Sequence, residues 1–267
     1  MVTNFKRLAT SLVGLGVLTA IGAAAEPSPD RVGYAYAADS GAFLYTEAHF
    51  ETPRHGRLAT ERVEYRSPDG RLLATKRLDY TPDASAPRFE LTMAVNAYRE
   101  GLRQTADGLQ TFYRPVEGGR TYTEPLAGSD DLVADGGFER VVAQRLADLR
   151  TGHSLSFDFL VPGRLSTYPF RVRRVGDTEV LGEPAVHLRM EPASWLLRWL
   201  AEPVEVFYHR ERGRLLRYVG PTNLRDAAGN NPRVRVDFLD SPPAEGELAE
   251  RAARPNPFVT ETREDRS

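Results

Sequence analysis

Lys76 shares a strand face with Leu72, Ala74, Leu78 and Tyr80. An ammonium among apolar neighbours needs a counter-charge or a route to water. In an earlier strand, Phe43 and Tyr45 share a face with Glu47 and His49. Further on, Tyr98 and Leu102 share one with Glu100. One reading brings Glu47, Lys76 and Glu100 together inside a concavity, with His49 near its rim. With Tyr45 they then bind the polar head of an otherwise apolar ligand. The other reading makes Lys76 half of a structural ion pair, or lets its strand run out beyond the rim. Inward charges also discourage edge-to-edge strand pairing. Both readings stay open at the level of sequence.

Trp195 and Trp199 stand at i and i+4 in Trp195-Leu196-Leu197-Arg198-Trp199-Leu200, and face the same way on a short helix. So short a helix must dock on something. Its tryptophans either plug the open side of the fold as core or form a lid over an apolar cavity. A single nearby cation, Arg198, gives little support for an interfacial membrane contact.

No reaction is encoded in a recognisable motif. There is no Cys, which removes a thiol nucleophile, a disulfide framework and a lipid-anchored N-terminus. No Ser sits in a Gly-x-Ser-x-Gly elbow. The five His are scattered, and none are spaced as metal ligands on a helix. Glu47 and His49 at i, i+2 form a pair of a kind that arises often by coincidence. The expectation is therefore no catalytic residue, no metal, no cofactor and no enzyme. A hydrolase is the remote alternative, and would need paired acids in a cleft.

These residues must be positioned by strands. Val234, Val236 and Phe238 alternate with Arg233, Arg235 and Asp237, and Val186, Leu188 and Met190 with His187 and Arg189. The same period of two runs through Leu155, Phe157, Phe159 and Val161, and through Phe170 and Val172. It marks an antiparallel sheet with one dry face. Pro68-Asp69-Gly70, Asp107-Gly108, Arg212-Gly213 and Gly229-Asn230 supply the reversals. About a dozen strands without βα alternation predict a mainly β fold: a curved sheet, barrel or sandwich. One proper helix interrupts it, with Phe138, Val141, Val142, Leu146 and Leu149 on its apolar face, Asp135 as its cap and Gly152 at its end. After Asp240 the chain is rich in Pro and Glu, and residues 241–267 read as a disordered tail, with a late contact by Phe258 and Val259 left open.

The N-terminus predicts export. Lys6 and Arg7 precede an apolar run from Leu8 to Ile21, and Ala23 and Ala25 suit a signal peptidase, so residues 1–25 read as a signal cleaved after Ala25. The run falls short of the ~20 residues a spanning helix needs, and no later stretch reaches that length. Residues 26–240 then form a single curved antiparallel domain, located in the periplasm. Without Lys6 and Arg7 the formal charge moves from −2 to about −4, which leaves no footprint for nucleic acid.

This layout resembles the unclosed β-barrels of the lipoprotein carrier superfamily (LolA/LolB-like), and most of all their uncharacterised exported envelope relatives. The strings that carry the resemblance are Leu44-Tyr45-Thr46-Glu47-Ala48-His49, Val63-Glu64-Tyr65-Arg66-Ser67-Pro68-Asp69-Gly70 with Lys76, and Tyr218-Val219-Gly220-Pro221-Thr222-Asn223-Leu224. It implies a half-open barrel around one mid-chain helix and one short aromatic helix, with acyl chains held on the concave side. The expected function is a soluble periplasmic binding protein for a lipid or other apolar small molecule, with Tyr45, Glu47, His49, Lys76, Glu100, Trp195 and Trp199 at the ligand. The alternative is a non-catalytic interaction protein with a solid core, which binds an envelope protein at its rim or tail.

Overall fold

A computed structural model describes residues 27–115, 119–194 and 202–258. Eight strands come first: β1 (Arg31–Ala37), β2 (Phe43–Arg54), β3 (Arg57–Arg66), β4 (Leu72–Asp79), β5 (Arg88–Met93), β6 (Arg99–Thr105), β7 (Gly108–Arg114) and β8 (Tyr122–Leu126). They form an antiparallel meander, each paired with the next. Then come β9 (Leu132–Val133), the helix α1 (Gly137–Arg150), β10 (Leu155–Val161), β11 (Ser166–Val180), β12 (Glu183–Pro192), β13 (Val204–His209), β14 (Leu215–Pro221), β15 (Arg233–Phe238) and a second helix, α2 (Glu245–Ala252). A 3-10 turn at Pro162–Arg164 links β10 to β11.

The strands make one fifteen-stranded sheet, in which β1 lies between β2 and β15 while β8 and β9 form the two edges. The sheet is strongly curved and does not close into a barrel. The parallel pair β9–β10 follows from the helix that separates them in sequence, since parallel neighbours need a crossover. The period-two reading holds along the strands. In β15, Val234, Val236 and Phe238 point inward and are buried; in β5, Phe89, Leu91 and Met93 do so. The Pro68-Asp69-Gly70 reversal lies between β3 and β4, with Gly70 at φ +83°.

The helix α1 lays Val142, Leu146 and Leu149 among Phe157, Phe170, Val186 and Leu188. Its entry differs from expectation. Asp135 does not cap it: the helix starts at Gly137, its N-cap is Gly136, and no side chain caps it. Asp135 has φ 43°, and its carboxylate goes to Lys76 instead. The need of a buried ammonium for a counter-charge outweighs a cap worth ~1 kcal/mol. The two glycines that follow permit a close passage. A Cβ on Gly137 would lie 1.8 Å from the Ser85 carbonyl oxygen, and one on Gly136 would lie 2.4 Å from the Tyr80 hydroxyl. Gly152 ends the helix at φ +96° as expected.

The segment after Asp240 is a second correction. It was expected to be disordered, yet residues 241–258 are ordered against the sheet. The helix α2 sets Leu248 and Ala252 on Tyr34, Tyr36 and Phe43, and Arg251 lies over the Tyr36 ring. Asn256 donates to the Leu44 carbonyl at 2.8 Å, and Phe258 is buried edge-on against Tyr45, with ring centroids 5.7 Å apart. Average composition hides such anchors. Two apolar side chains one helical turn apart and one aromatic suffice when the sheet presents aromatics to receive them. Val259, Trp195, Trp199 and the expected signal lie outside the described residues.

On the outer face carboxylates sit between pairs of cations. Glu191 meets Arg171 and Arg173, Glu205 meets His187 and Arg189, and Asp237 meets Arg217 and Arg235. Such partly exposed pairs contribute little each.

Candidate functional site

The concave side encloses a cavity of about 820 Å³. Its two walls differ in chemistry. Strands β10 to β15 present mainly Phe159, Phe170, Met190, Val206, Leu215 and Val236, with Tyr208, Tyr218 and Arg233 among them. Strands β1 to β6 present Arg31, Glu47, His49, Glu61, Lys76 and Glu100, joined by Asp135 before α1 and Glu139 in its first turn.

Lys76 Nζ lies 2.6 Å from Asp135 Oδ1 and 6.0 Å from the centre of the Tyr65 ring. Burial alone would depress the Lys76 ammonium. Asp135, with Tyr65 and Glu47 nearby, overrides burial and holds it well above the ordinary lysine value.

His49 is buried between two carboxylates. Its Nδ1 is 2.6 Å from Glu61 Oε1, and its Nε2 is 3.5 Å from Glu47 Oε2. Burial and Arg31 both act to lower the imidazole pKa, but Glu47 and Glu61 raise it above 6.5 on balance. The Tyr80 hydroxyl donates to Glu61 Oε2 at 2.7 Å. Burial opposes ionisation of Glu61, yet His49, Arg31 and Tyr80 bring its pKa down to about 2.

Arg31 grips Glu139 with both prongs, Nη1 to Oε1 at 2.7 Å and Nη2 to Oε2 at 2.8 Å, and so ties β1 to α1. It also approaches Glu61 at 3.8 Å and lies over the Phe238 ring. Glu100 accepts from the Tyr98 hydroxyl at 2.5 Å. Arg225 in turn donates to the Tyr98 oxygen at 3.1 Å and stands 3.8 Å from Glu100. Burial pushes the Glu100 carboxyl above its ordinary range despite these partners.

Glu47, Lys76 and Glu100 therefore line one cavity but do not meet. No hydrogen bond or ion pair joins any two of them. Glu47 and Glu100 take the neighbours two residues away on their own strand faces, His49 and Tyr98, whereas Lys76 takes Asp135, which strand alternation does not specify. His49 is buried in the charged wall rather than placed at a wet rim. Tyr45 lines the cavity and shares a 2.6 Å hydrogen bond with Thr222. Glu61 was legible by the rule that singles out Lys76, since it shares a face with Val63 and Tyr65 in β3. Arg31, Asp135, Glu139 and Arg225 were not, because tertiary placement alone brings them in.

Two polar groups of the cavity lining are poorly satisfied. Among the described residues Glu47 has one polar contact, the 3.5 Å ion pair to His49 Nε2, which is long for a hydrogen bond. The Tyr208 hydroxyl in β13 has no partner among the described residues, although the residue is buried. Among the described residues no three His, Asp or Glu side chains are grouped to hold a metal ion, and no helix is long and apolar enough to cross a membrane. No protein-family model matches this chain, and no curated protein matches it.

Proposed function

We propose that this protein is an exported binding protein of the lipoprotein-carrier type, which holds a lipid or other apolar ligand in its half-barrel. One observation carries the reading: a cavity of about 820 Å³ with one long apolar wall lies where a solid core would otherwise be. Ligand sites typically measure ~300–1,000 Å³ and combine apolar lining with a few placed polar groups. The wall from β10 to β15 suits an alkyl chain. The charged wall opposite fixes the direction in which such a chain enters.

Export to the periplasm rests on the N-terminal pattern and belongs to the same proposal. The protein is purified from the cell envelope, and bound material is sought by native mass spectrometry and organic extraction. A lipid or apolar small molecule in stoichiometric amount is expected, on a chain that starts at Glu26. A chain that comes out empty and also fails to bind an apolar dye such as N-phenyl-1-naphthylamine overturns the binding reading. A chain that retains Met1 overturns cleavage.

A further inference from the structure

We infer that the polar end of the ligand is an organic ammonium, received by the Glu47 carboxylate. This rests on the ligand-binding reading above and deepens it.

The three least exposed of the inward cations already have partners, while Arg140, Arg164 and Arg233 line the cavity from more exposed positions. Both prongs of Arg31 are on Glu139, Lys76 is on Asp135, and Arg225 is on Tyr98 beside Glu100. An anionic head, carboxylate or phosphate, seated at these three would have to strip one of them of its partner and leave a buried carboxylate alone. Carboxylates are in surplus instead. Around Arg31 and His49 stand Glu47, Glu61 and Glu139: three acids against two cations even when the imidazole is protonated.

Within that surplus Glu47 is the least engaged. Glu61 accepts from His49 and Tyr80, and Glu139 accepts twice from Arg31. Glu47 has only the long 3.5 Å contact to His49 Nε2 among the described residues, and it lines the cavity. Two independent features agree. The buried Tyr208 hydroxyl, in β13 on the other wall of the same cavity and near Glu139 and Arg31, lacks a partner among the described residues and can accept an N–H. Aromatic rings line this region: Phe238 stands 5.8 Å from His49, and Tyr45 and Tyr218 share the lining with Glu47. Ring faces attract cations and repel anions. The occupant that fits is an alkylammonium amphiphile, its chain along β10 to β15 and its head at Glu47.

The test uses three probes at neutral pH and low salt: N-phenyl-1-naphthylamine as a neutral reporter, with dodecylammonium and dodecanoate as competitors of equal chain length. Dodecylammonium is expected to displace the dye at a concentration at least about tenfold below that of dodecanoate. Glu47→Gln is expected to cut that ratio to about threefold or less, and Glu47→Asp to keep most of it, with folding of each variant checked by its unfolding midpoint. The comparison of competitors on the unaltered protein needs no variant. Dye binding with equal competition, or with dodecanoate preferred, overturns the inference and leaves the binding reading standing. Failure of the dye and both competitors to bind overturns both.

Discussion

Lys76 Nζ sits 2.6 Å from Asp135 Oδ1, with both side chains only 8% exposed, although one comes from a mid-sheet strand and the other from the loop before α1. The pair holds the start of the helix against the polar wall. Removing one member strands the other in a poorly solvated place, which typically costs ~3–5 kcal/mol. Lys76→Met should therefore lower the urea midpoint sharply. Asp135→Asn should do the same, since Asn tolerates the left-handed backbone of that residue. The double variant should recover most of the loss. A cycle in which the two effects simply add would show that the pair is not coupled.

The His49–Glu61 contact predicts a stability maximum in mildly acid solution. His49 is raised above 6.5, so its contribution is complete below that value and fades as pH climbs through the folded pKa. Glu61 is lowered from 4.5 to about 2, so its contribution is complete above 4.5 and fades as pH falls towards 2. Both are present between about 4.5 and 6.5. Denaturant midpoints measured across pH should peak there, and His49→Gln should flatten the fall on the alkaline side. An unchanged alkaline limb in that variant would assign the fall to other groups.

The two-pronged Arg31–Glu139 contact fastens α1 to β1 across the concavity. Charge-assisted hydrogen bonds of this kind contribute ~1.5–3 kcal/mol, more than solvated ion pairs. Arg31→Met should cost an amount in that range. Backbone amides of α1 should then exchange faster, while those of β2 to β5 change little. Uniform acceleration throughout the sheet would mean that the contact supports global rather than local stability.

Phe258 fills a space beside Tyr45, and α2 covers the aromatics of β1 and β2. Phe258→Ala should destabilise by about 3 kcal/mol, as expected for a buried aromatic. Truncation after Asp240 should lower the melting temperature and expose Tyr34, Tyr36 and Phe43, which increased binding of a hydrophobic dye at the outer face would register. A truncated chain as stable as the intact one would show that the strap is dispensable.

Much of the sheet was legible from alternation. A period of two in β5, β12 and β15 follows from side chains that point to opposite faces, and one dry face makes that period visible. The inward positions of Glu47, Lys76 and Glu100 were legible for the same reason. So were His49 beside Glu47 and Tyr98 beside Glu100, but the partner of Lys76 was not. Asp135 stands at a place where local sequence spells a helix cap, and only the approach of β4 shows that its carboxylate is needed elsewhere. Glu139 lies in a helix whose position over the sheet no strand periodicity encodes. The strap from α2 to Phe258 was hidden because three anchors in a polar segment barely shift its composition. Local patterns reveal which face a residue occupies, whereas ion pairs depend on which elements are stacked over one another.

The position of β1 between β2 and β15 has a consequence for how the protein reaches this state. Tyr34 is paired with Asp237, roughly 200 positions away, so the seam at the middle of the sheet is its least local contact and closes against the largest chain entropy. The meander from β2 to β8 can zip hairpin by hairpin as it is made. The first strand has to keep one edge unpaired until the fifteenth arrives, and that waiting edge is where a stalled or truncated chain would self-associate.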